Sequence, residues 1–182
     1  FRNHETYPHY EIIVVDNGSR LPEAEEIQER YRSNLVPDGS LSGSPASDNP
    51  ASFPPVKVVR NINNGFAGGN NAGLKAAGGD YLFFINNDTL IKEPVLDALV
   101  RRMGCDPQRN GGVSPMLKFA ACPDILQYAG FTPLSSLTLR NASIGFMQQD
   151  GPRFRTPCET ASLHGAAMMV SRQALQDAGP MS

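Results

Sequence analysis

Residues 80–89 read Asp80-Tyr81-Leu82-Phe83-Phe84-Ile85-Asn86-Asn87-Asp88-Thr89, and this segment decides the expected fold. Five consecutive apolar residues predict a strand buried on both faces, because a half-exposed strand would alternate apolar and polar side chains. Two amides, a carboxylate and a hydroxyl follow at once. Ligands of open α/β sheets bind at the carboxyl ends of strands. The four polar residues therefore predict either a site for a divalent cation and phosphates or an ordinary Asx-type turn.

Two earlier segments repeat this pattern of a strand followed by polar residues. Residues 11–15 (EIIVV) form a β-branched run that ends in 16–19 (DNGS), and residues 56–59 (VKVV) predict another strand before the polar residues 60–65. Helical patterns separate the strands, and right-handed crossovers would place the polar ends side by side. The alternation predicts an α/β protein with a Rossmann-like, mostly parallel sheet flanked by helices and a nucleotide site at the carboxyl ends of the strands.

The segment from residue 60 to residue 77 is rich in glycine and asparagine before it becomes rich in alanine. Gly65, Gly68 and Gly69 would let the backbone approach a ligand closely, and the N-terminus of the following helix would offer unpaired N–H groups to phosphate. The sequence has no GxxxxGK[ST] motif and lacks the acidic residue of the dinucleotide fingerprint. A P-loop NTPase and a nicotinamide or flavin enzyme are therefore disfavoured.

The composition is that of an ordinary globular protein. The chain has 182 residues, enough for a single domain, and residues 35–55 predict a flexible insertion because they are rich in Ser, Pro, Gly and Asp. A net charge of -2 gives no reason to expect a nucleic-acid partner. Three scattered cysteines fit reduced thiols in the cytoplasm, and no apolar run is long enough to span a membrane. The chain begins with Phe1 rather than Met, so we interpret it as a fragment.

Three motifs together closely resemble family 2 glycosyltransferases of the GT-A fold, and the rhamnosyltransferase-like branch is especially similar. They occur in the order EIIVVDNGS, VVRNINNGFAGGNNAGLKAAGGDYLFFINNDT and HGAAMMVSRQAL. The resemblance covers most of residues 8–103 and again residues 160–180. It implies one partial GT-A domain over residues 1–182.

The resemblance also implies roles for individual residues. Asp88 would hold a divalent metal, Mg or Mn, that bridges the donor diphosphate, although amides replace the usual acids at positions 86 and 87. His164 and Gly165 would lie near the acceptor, but a satisfied, partly buried histidine is the interpretation we favour for His164. The residues implied in donor binding are Asp16, Asn17, Ser19, Arg60, Asn61, Asn64, Gly65, Gly68, Asn71, Asn87 and Asp88.

The implied reaction is transfer, with inversion, of a hexose or a deoxyhexose such as rhamnose. The donor would be a UDP- or dTDP-linked sugar and the acceptor a hydroxyl of a saccharide or lipid-linked saccharide, in the synthesis of a surface polysaccharide. Relatives often work at the cytoplasmic face of a membrane. The general base of the family would follow Ser182 and its first strand would precede Phe1, so this chain would lack both. A sugar nucleotidyltransferase of related fold and a non-catalytic nucleotide-sugar-binding remnant stay open as alternatives.

Overall fold

The computed structural model describes residues 5–20, 22–32 and 54–182, which form two compact units. The first unit contains the described residues between Tyr7 and Leu82 together with Arg172–Ser182. The second unit contains Phe83–Ser171 together with residues 5 and 6. The single domain expected from the sequence stays a prediction, and nearly all of the expected insertion at about 35–55 lies outside the described residues.

The first unit is built on two parallel strands, β1 (Ile12–Asp16) and β2 (Val56–Arg60). Their β-branched residues favour the extended conformation. The register pairs Ile12 with Val56 and Asp16 with Arg60, so both strands end at the same level. Because the strands are parallel, their polar carboxyl ends meet at one edge.

Three helices complete the first unit: α1 (Glu23–Arg30), α2 (Gly65–Ala76) and α4 (Arg172–Ala178). Helix α1 buries Ala24 and exposes its acidic first turn. Helix α2 packs on β1 and β2. Gly73 permits this contact, because a Cβ atom there would lie 3.0 Å from Cγ2 of Val15.

The second unit contains a three-stranded sheet in the order β3 (Tyr81–Ile85), β7 (Ala167–Ser171), β4 (Gly112–Val113), in which the first two residues of β3 belong to the first unit. Strands β4 and β7 are antiparallel. Helix α3 (Leu96–Cys105) buries Leu96, Leu99 and Met103, which recur at the spacing of one helical face. The carboxylate of Glu5 accepts hydrogen bonds from the N–H groups of Val95 and Leu96 at 3.1 Å and so caps this helix.

An antiparallel hairpin, β5 (Leu117–Phe119) and β6 (Cys122–Tyr128), also belongs to the second unit. Leu117, Tyr128 and Ala167 form a buried core against which Phe83 packs. Near the hairpin, one carboxylate oxygen of Asp150 pairs with Lys118 and with Arg155, each at 2.7 Å, and the Asp150 side chain is only 7% exposed. The hydrogen bond from Lys118 is the main cause that holds the pKa of Asp150 below its usual value.

The α/β class predicted from the sequence is confirmed, with a parallel strand pair and flanking helices. The prediction that β3 is buried on both faces is wrong at the end of the strand: Leu82 is buried, but Ile85 is 37% exposed. Ile85 is the last residue before an exposed turn, so less of the chain covers it. A continuous apolar run predicted the strand correctly and overstated its burial.

Candidate functional site

The carboxyl end of β1 is a tight turn closed by an aspartate. The backbone N–H of Ser19 donates a hydrogen bond of 2.8 Å to Oδ1 of Asp16. Gly18 adopts φ +82°, and a Cβ atom at that position would lie 3.0 Å from the backbone nitrogen of Asn63. The hydrogen bonds from Ser19 hold the pKa of Asp16 below its usual value, and the nearby charge of Arg60 acts in the same direction. Asp16 therefore carries a negative charge at neutral pH.

Three asparagines form a hydrogen-bonded group, here called the amide cluster, at the ends of β1 and β2. Nδ2 of Asn61 donates to Oδ1 of Asn17 and to Oδ1 of Asn64, both at 2.8 Å. Nδ2 of Asn17 donates to the carbonyl oxygen of Gly65 at 3.1 Å. The side chains are thus oriented by one another before any ligand arrives, because each bond fixes the direction of an amide.

The amide cluster lies at the start of helix α2. Asn64 is the N-cap residue, yet its side chain makes no capping bond to the helix, since its oxygen accepts from Asn61. Asn63 instead accepts a hydrogen bond of 3.2 Å from the N–H of Gly65. The free N–H groups of a helix's first turn and its dipole favour an anion such as phosphate.

The glycines of this segment lie within the helix and not, as expected, in a loop before it. A Cβ atom on Gly68 would lie 2.1 Å from Cγ of Asn64, and one on Gly69 would lie 3.1 Å from Nδ2 of Asn17. Both glycines therefore make room for the amide cluster. They bring the helix close to these side chains of the protein itself.

A cleft of about 490 Å³ runs along α2 in the first unit. Four of the predicted donor-binding residues line it, namely Asn61, Asn64, Gly68 and Asn71. The other lining residues are Val59, Ala72, Lys75 and Ala76. Lys75 was not among the residues predicted from the sequence, although its spacing from Gly68 and Asn71 places all three on one helical face. Lys75 supplies a positive charge to this cleft.

The remaining predicted residues of the first unit have identifiable partners. Arg60 forms an ion pair with Glu25 of α1. Asn71 makes two hydrogen bonds to the backbone of Met181, from Nδ2 to the carbonyl oxygen at 2.8 Å and from the Met181 N–H to Oδ1 at 3.0 Å. Asn71 thus joins α2 to the segment after α4. Its predicted role in donor binding stays a prediction.

In the second unit, the residues after β3 form a turn whose tip is exposed. The N–H of Thr89 donates to the carbonyl oxygen of Asn86 at 3.1 Å, while the side chains of Asn87 and Asp88 are exposed. The carbonyl oxygen of Ala166 accepts from the N–H of Asn86 at 3.0 Å and from the hydroxyl of Thr89 at 3.3 Å. The turn alternative from the sequence is therefore present, and a site for a cation and phosphates at this turn stays a prediction.

His164 lies two residues before this shared carbonyl. Its Nδ1 accepts a hydrogen bond of 3.2 Å from the N–H of Ala166, and its ring stacks on Phe131 with ring centres 6.3 Å apart. The ring of Tyr128 lies 5.1 Å away. Burial lowers the pKa of His164, so the ring is neutral at pH 7. These contacts match the satisfied, partly buried histidine that we favoured. Gly165 lies in the turn after it.

The second unit was expected to hold a metal through Asp88. Within residues 5–20, 22–32 and 54–182, no group of three or more His, Cys, Asp or Glu side chains could hold an ion. A single exposed carboxylate still fits Mg²⁺ or Mn²⁺ in a phosphate complex, because such ions commonly take one or two protein carboxylates and fill their other positions with phosphate oxygens and water. The residues are compatible with a cation that arrives with its nucleotide.

No helix in the described part of the chain has the length and apolar character needed to cross a membrane.

Comparisons with known proteins identify the family. No curated protein and no solved structure gives a significant match. The family model described as Glycosyl transferase family 2 matches residues 1–178. Because this match covers nearly the whole chain, the protein belongs to the family 2 glycosyltransferases, and its α/β architecture is the Rossmann-like GT-A fold of that family.

Proposed function

We propose that this glycosyltransferase moves a sugar, with inversion, from a nucleoside diphosphate to an acceptor hydroxyl. The observation that carries the proposal is the amide cluster at the ends of two parallel strands, beside the first turn of α2 and at a cleft of about 490 Å³. A pocket with a few oriented polar groups is the usual form of a small-molecule site. Amide groups, a carboxylate and helix N–H groups together match the hydrogen-bonding groups of a nucleotide.

The charges in the first unit suit different parts of the donor. Asp16 is ionised and its carboxylate accepts hydrogen bonds, which suits the N–H group of a pyrimidine base. The first turn of α2 is positive and suits the phosphates. Lys75, in the last turn of the helix, adds a positive charge at the other end of the cleft. The amides of Asn17, Asn61 and Asn64 can both donate and accept, as ribose hydroxyls require.

Asp88 is the proposed ligand of a divalent metal, with Asn87 beside it as a donor-binding residue. When bound, Mg²⁺ or Mn²⁺ would neutralise charge on the leaving diphosphate. The protein's own part is to present one negatively charged oxygen on a turn that two hydrogen bonds to Ala166 fix in place. His164 and Gly165, near the same carbonyl, are proposed to lie on the acceptor side.

The finer identity of the substrates rests on the resemblance of the motifs. It favours UDP or dTDP as the nucleotide, a hexose or a deoxyhexose such as rhamnose as the sugar, and a saccharide or lipid-linked saccharide as the acceptor. Synthesis of a surface polysaccharide at the cytoplasmic face of a membrane is the setting in which such relatives work. Direct displacement with inversion also requires a general base at the acceptor hydroxyl.

The proposal is tested by calorimetry with UDP and with dTDP, in the presence and absence of Mn²⁺. Asn61→Ala removes the central member of the amide cluster, so we expect about tenfold weaker nucleotide binding, which corresponds to the loss of one or two hydrogen bonds. Asn110→Ala is the control, because the amide of Asn110 also donates a hydrogen bond, to the backbone carbonyl of Arg102, but lies in the second unit.

Two results would contradict the proposal. One is that neither nucleotide binds to the folded chain, and the other is that Asn110→Ala weakens binding as much as Asn61→Ala. A donor-hydrolysis assay with the same protein then separates an enzyme from a protein that only binds a nucleotide sugar.

A further inference from the structure

The side chain of His164 is fixed by several contacts but keeps one polar atom unused. Its Nδ1 accepts the hydrogen bond from the N–H of Ala166, and the backbone N–H of His164 donates a hydrogen bond of 3.0 Å to the hydroxyl of Ser114. The rings of Tyr128 and Phe131 contact the imidazole ring. Its Nε2, in contrast, has no hydrogen-bond partner among the described residues.

The unused Nε2 of His164 is in reach of solvent. In the described part of the chain, Oδ1 of Asp150 is the only side-chain nitrogen or oxygen that is both buried and without a partner. An unpartnered Nε2 in this half-buried ring is therefore accessible. The protein thus orients the ring and leaves its outer nitrogen open to a ligand, which is how binding side chains are preorganised.

The hydrogen bond from Ala166 also determines which ring nitrogen carries the proton. A neutral imidazole has one N–H donor and one acceptor nitrogen. Because Nδ1 accepts the N–H of Ala166, the proton lies on Nε2. Burial lowers the pKa of His164 and so keeps the ring neutral at neutral pH. Nε2 can therefore donate a hydrogen bond, and it has no lone pair with which to take a proton from a substrate.

Ala166 joins the histidine to the turn that carries Asp88. Its N–H donates to the ring of His164, while its carbonyl oxygen accepts from the N–H of Asn86 and the hydroxyl of Thr89. Nδ1 of His164 therefore lies within about 10 Å of the backbone nitrogen of Asn86. The ring and the turn are thus close enough to contact neighbouring parts of one substrate.

The chemistry of this nitrogen favours an uncharged oxygen over a phosphate. Proteins usually bind phosphate with charged donors, which form the stronger hydrogen bonds. The ring of His164 is neutral, and burial is the cause of its lowered pKa, with no contribution from a neighbouring charge. A neutral donor beside aromatic rings suits a saccharide, which offers uncharged hydroxyl and ring oxygens next to apolar C–H groups.

We propose that His164 determines acceptor specificity by donating a hydrogen bond from Nε2–H to a hydroxyl or ring oxygen of the acceptor saccharide. This inference rests on the proposed sugar transfer, in which His164 lies on the acceptor side. It excludes His164 as the general base, because Nε2 already carries its proton. An acceptor that lacks an oxygen at this point would leave the donor unpaired and would be disfavoured.

NMR of the imidazole nitrogens tests the assigned proton position without any substrate. At neutral pH, Nε2 of His164 should give the signal of a protonated nitrogen and Nδ1 that of an unprotonated acceptor. His164→Gln identifies both signals by their loss. A proton on Nδ1, or a charged ring, would overturn the proposal whatever the nucleotide measurements show.

Two variants separate the ligand contact from the internal hydrogen bond. In His164→Asn the side-chain oxygen can still accept the N–H of Ala166 in an Asx-type turn, but nothing replaces Nε2. In His164→Gln the longer amide restores a donor near the place of Nε2. Both variants lose the ring and its contacts with Tyr128 and Phe131, so the comparison between them is matched.

The ligand contact is measured by titrating methyl glycosides of rhamnose, glucose and galactose into the chain, alone and with UDP and Mn²⁺. At least one glycoside should shift the Nε2–H signal of the wild type. We expect its affinity to fall about fivefold to tenfold in His164→Asn, as for the loss of one hydrogen bond, and less than about twofold in His164→Gln. A purely structural histidine predicts the reverse order, because only the asparagine keeps the bond to Ala166.

His9→Asn is the control, since His9 is an exposed histidine of the first unit, and its glycoside affinity should equal that of the wild type. The proposal is overturned if no glycoside shifts the Nε2–H signal in either condition, or if His164→Asn binds as well as the wild type. If a glycoside shifts the signal but UDP and dTDP fail to bind, the proposed donor site fails and the role of His164 is supported.

Discussion

The ends of strands β1 and β3 carry similar residues, but the hydrogen-bond partners of these residues differ. After β1, Asp16 accepts the N–H of Ser19, and Asn17 both donates to Gly65 and accepts from Asn61. After β3, the turn from Asn86 to Thr89 is fixed through backbone atoms, and no hydrogen bond to the carboxylate of Asp88 is found among the described residues. The end of β1, here called the saturated end, has its polar side chains hydrogen-bonded within the protein. The carboxylate of Asp88, at the end of β3, has no such bond among the described residues.

The difference teaches how the two ends would meet a ligand. A saturated network holds its amides in fixed directions and recognises a ligand by the hydrogen bonds that remain. An exposed carboxylate with no protein partner does not lower the free energy of unfolding, because water solvates it. It is therefore available to bind a cation. Substitutions of the hydrogen-bonded side chains themselves should therefore affect stability and binding together at the first end, and substitution of Asp88 should affect binding alone at the second.

The largest expected effect is that of Asp88→Asn. The substitution removes the only negative charge of its turn, so we expect the gain in nucleotide affinity caused by Mn²⁺ to fall by about 100-fold, a fraction of the several kcal/mol that a bound metal can supply. Calorimetry with the tighter of UDP and dTDP measures this. Affinity without Mn²⁺ and the unfolding temperature should not change.

Glu93→Gln provides the control for Asp88→Asn, because it removes another exposed acid nearby in the sequence. If both variants lose the effect of Mn²⁺ equally, the cation acts through general charge. If Asp88→Asn unfolds the protein, the carboxylate has a structural partner and the contrast between the strand ends fails.

Gly68→Ala is expected to separate stability from binding at the saturated end. Alanine favours the helix by about 1 kcal/mol, but its Cβ would lie 2.1 Å from Cγ of Asn64 and force that side chain away from Asn61. The two contributions nearly cancel in the free energy of unfolding, while nucleotide affinity should fall about tenfold because the amide cluster loses its order. Urea unfolding and calorimetry measure the two quantities.

Gly104→Ala in α3 is a matched control for Gly68→Ala, since a Cβ atom there meets no atom within 4 Å. It should stabilise the protein by up to about 1 kcal/mol and leave nucleotide binding unchanged. Unchanged nucleotide affinity in Gly68→Ala would contradict a role for Asn64 in the site.

The smallest expected effect concerns the pH dependence contributed by Asp16. Its pKa is lowered in the folded protein, mainly by the hydrogen bond from Ser19, so its contribution to stability is present above pH 3.8 and is lost as the pH falls through the folded pKa below that value. The difference in stability between the wild type and Asp16→Asn should therefore be constant near neutrality and shrink in acid. Urea unfolding from neutral pH downward measures it, and a difference that grows in acid would contradict the assignment.

Local sequence patterns predicted the elements that positioned these strand ends. The apolar runs before Asp16 and Asn86 and the periodic leucines of α3 require only neighbouring residues to be recognised. The helical state of residues 65–69 was not predicted, because glycine and asparagine disfavour helices on their own. It depends on the contact of Gly69 with Asn17, which is about 50 residues distant in the sequence and which only a small residue allows.

Long-range charge pairs escaped prediction for the same reason. Lys118 is distant in sequence from Asp150, and only folding brings it to the carboxylate oxygen that also pairs with Arg155. Lys75 was missed although a helical repeat pointed to it, because the cleft beside α2 is defined by β2 as well. A single sequence thus predicts which residues end the strands, and the structure adds which of them already form hydrogen bonds or ion pairs within the protein.

The carbonyl of Ala166 has a consequence for how this turn can evolve. It accepts hydrogen bonds from the N–H of Asn86 and from the hydroxyl of Thr89. The bond at position 86 uses a backbone N–H, which every residue except proline possesses, so it does not depend on the side chain there. The side chains at positions 86 and 87 are consequently free to change from acids to amides without displacing the carboxylate two residues later. Different side chains at those two positions are therefore compatible with the same backbone placement of Asp88.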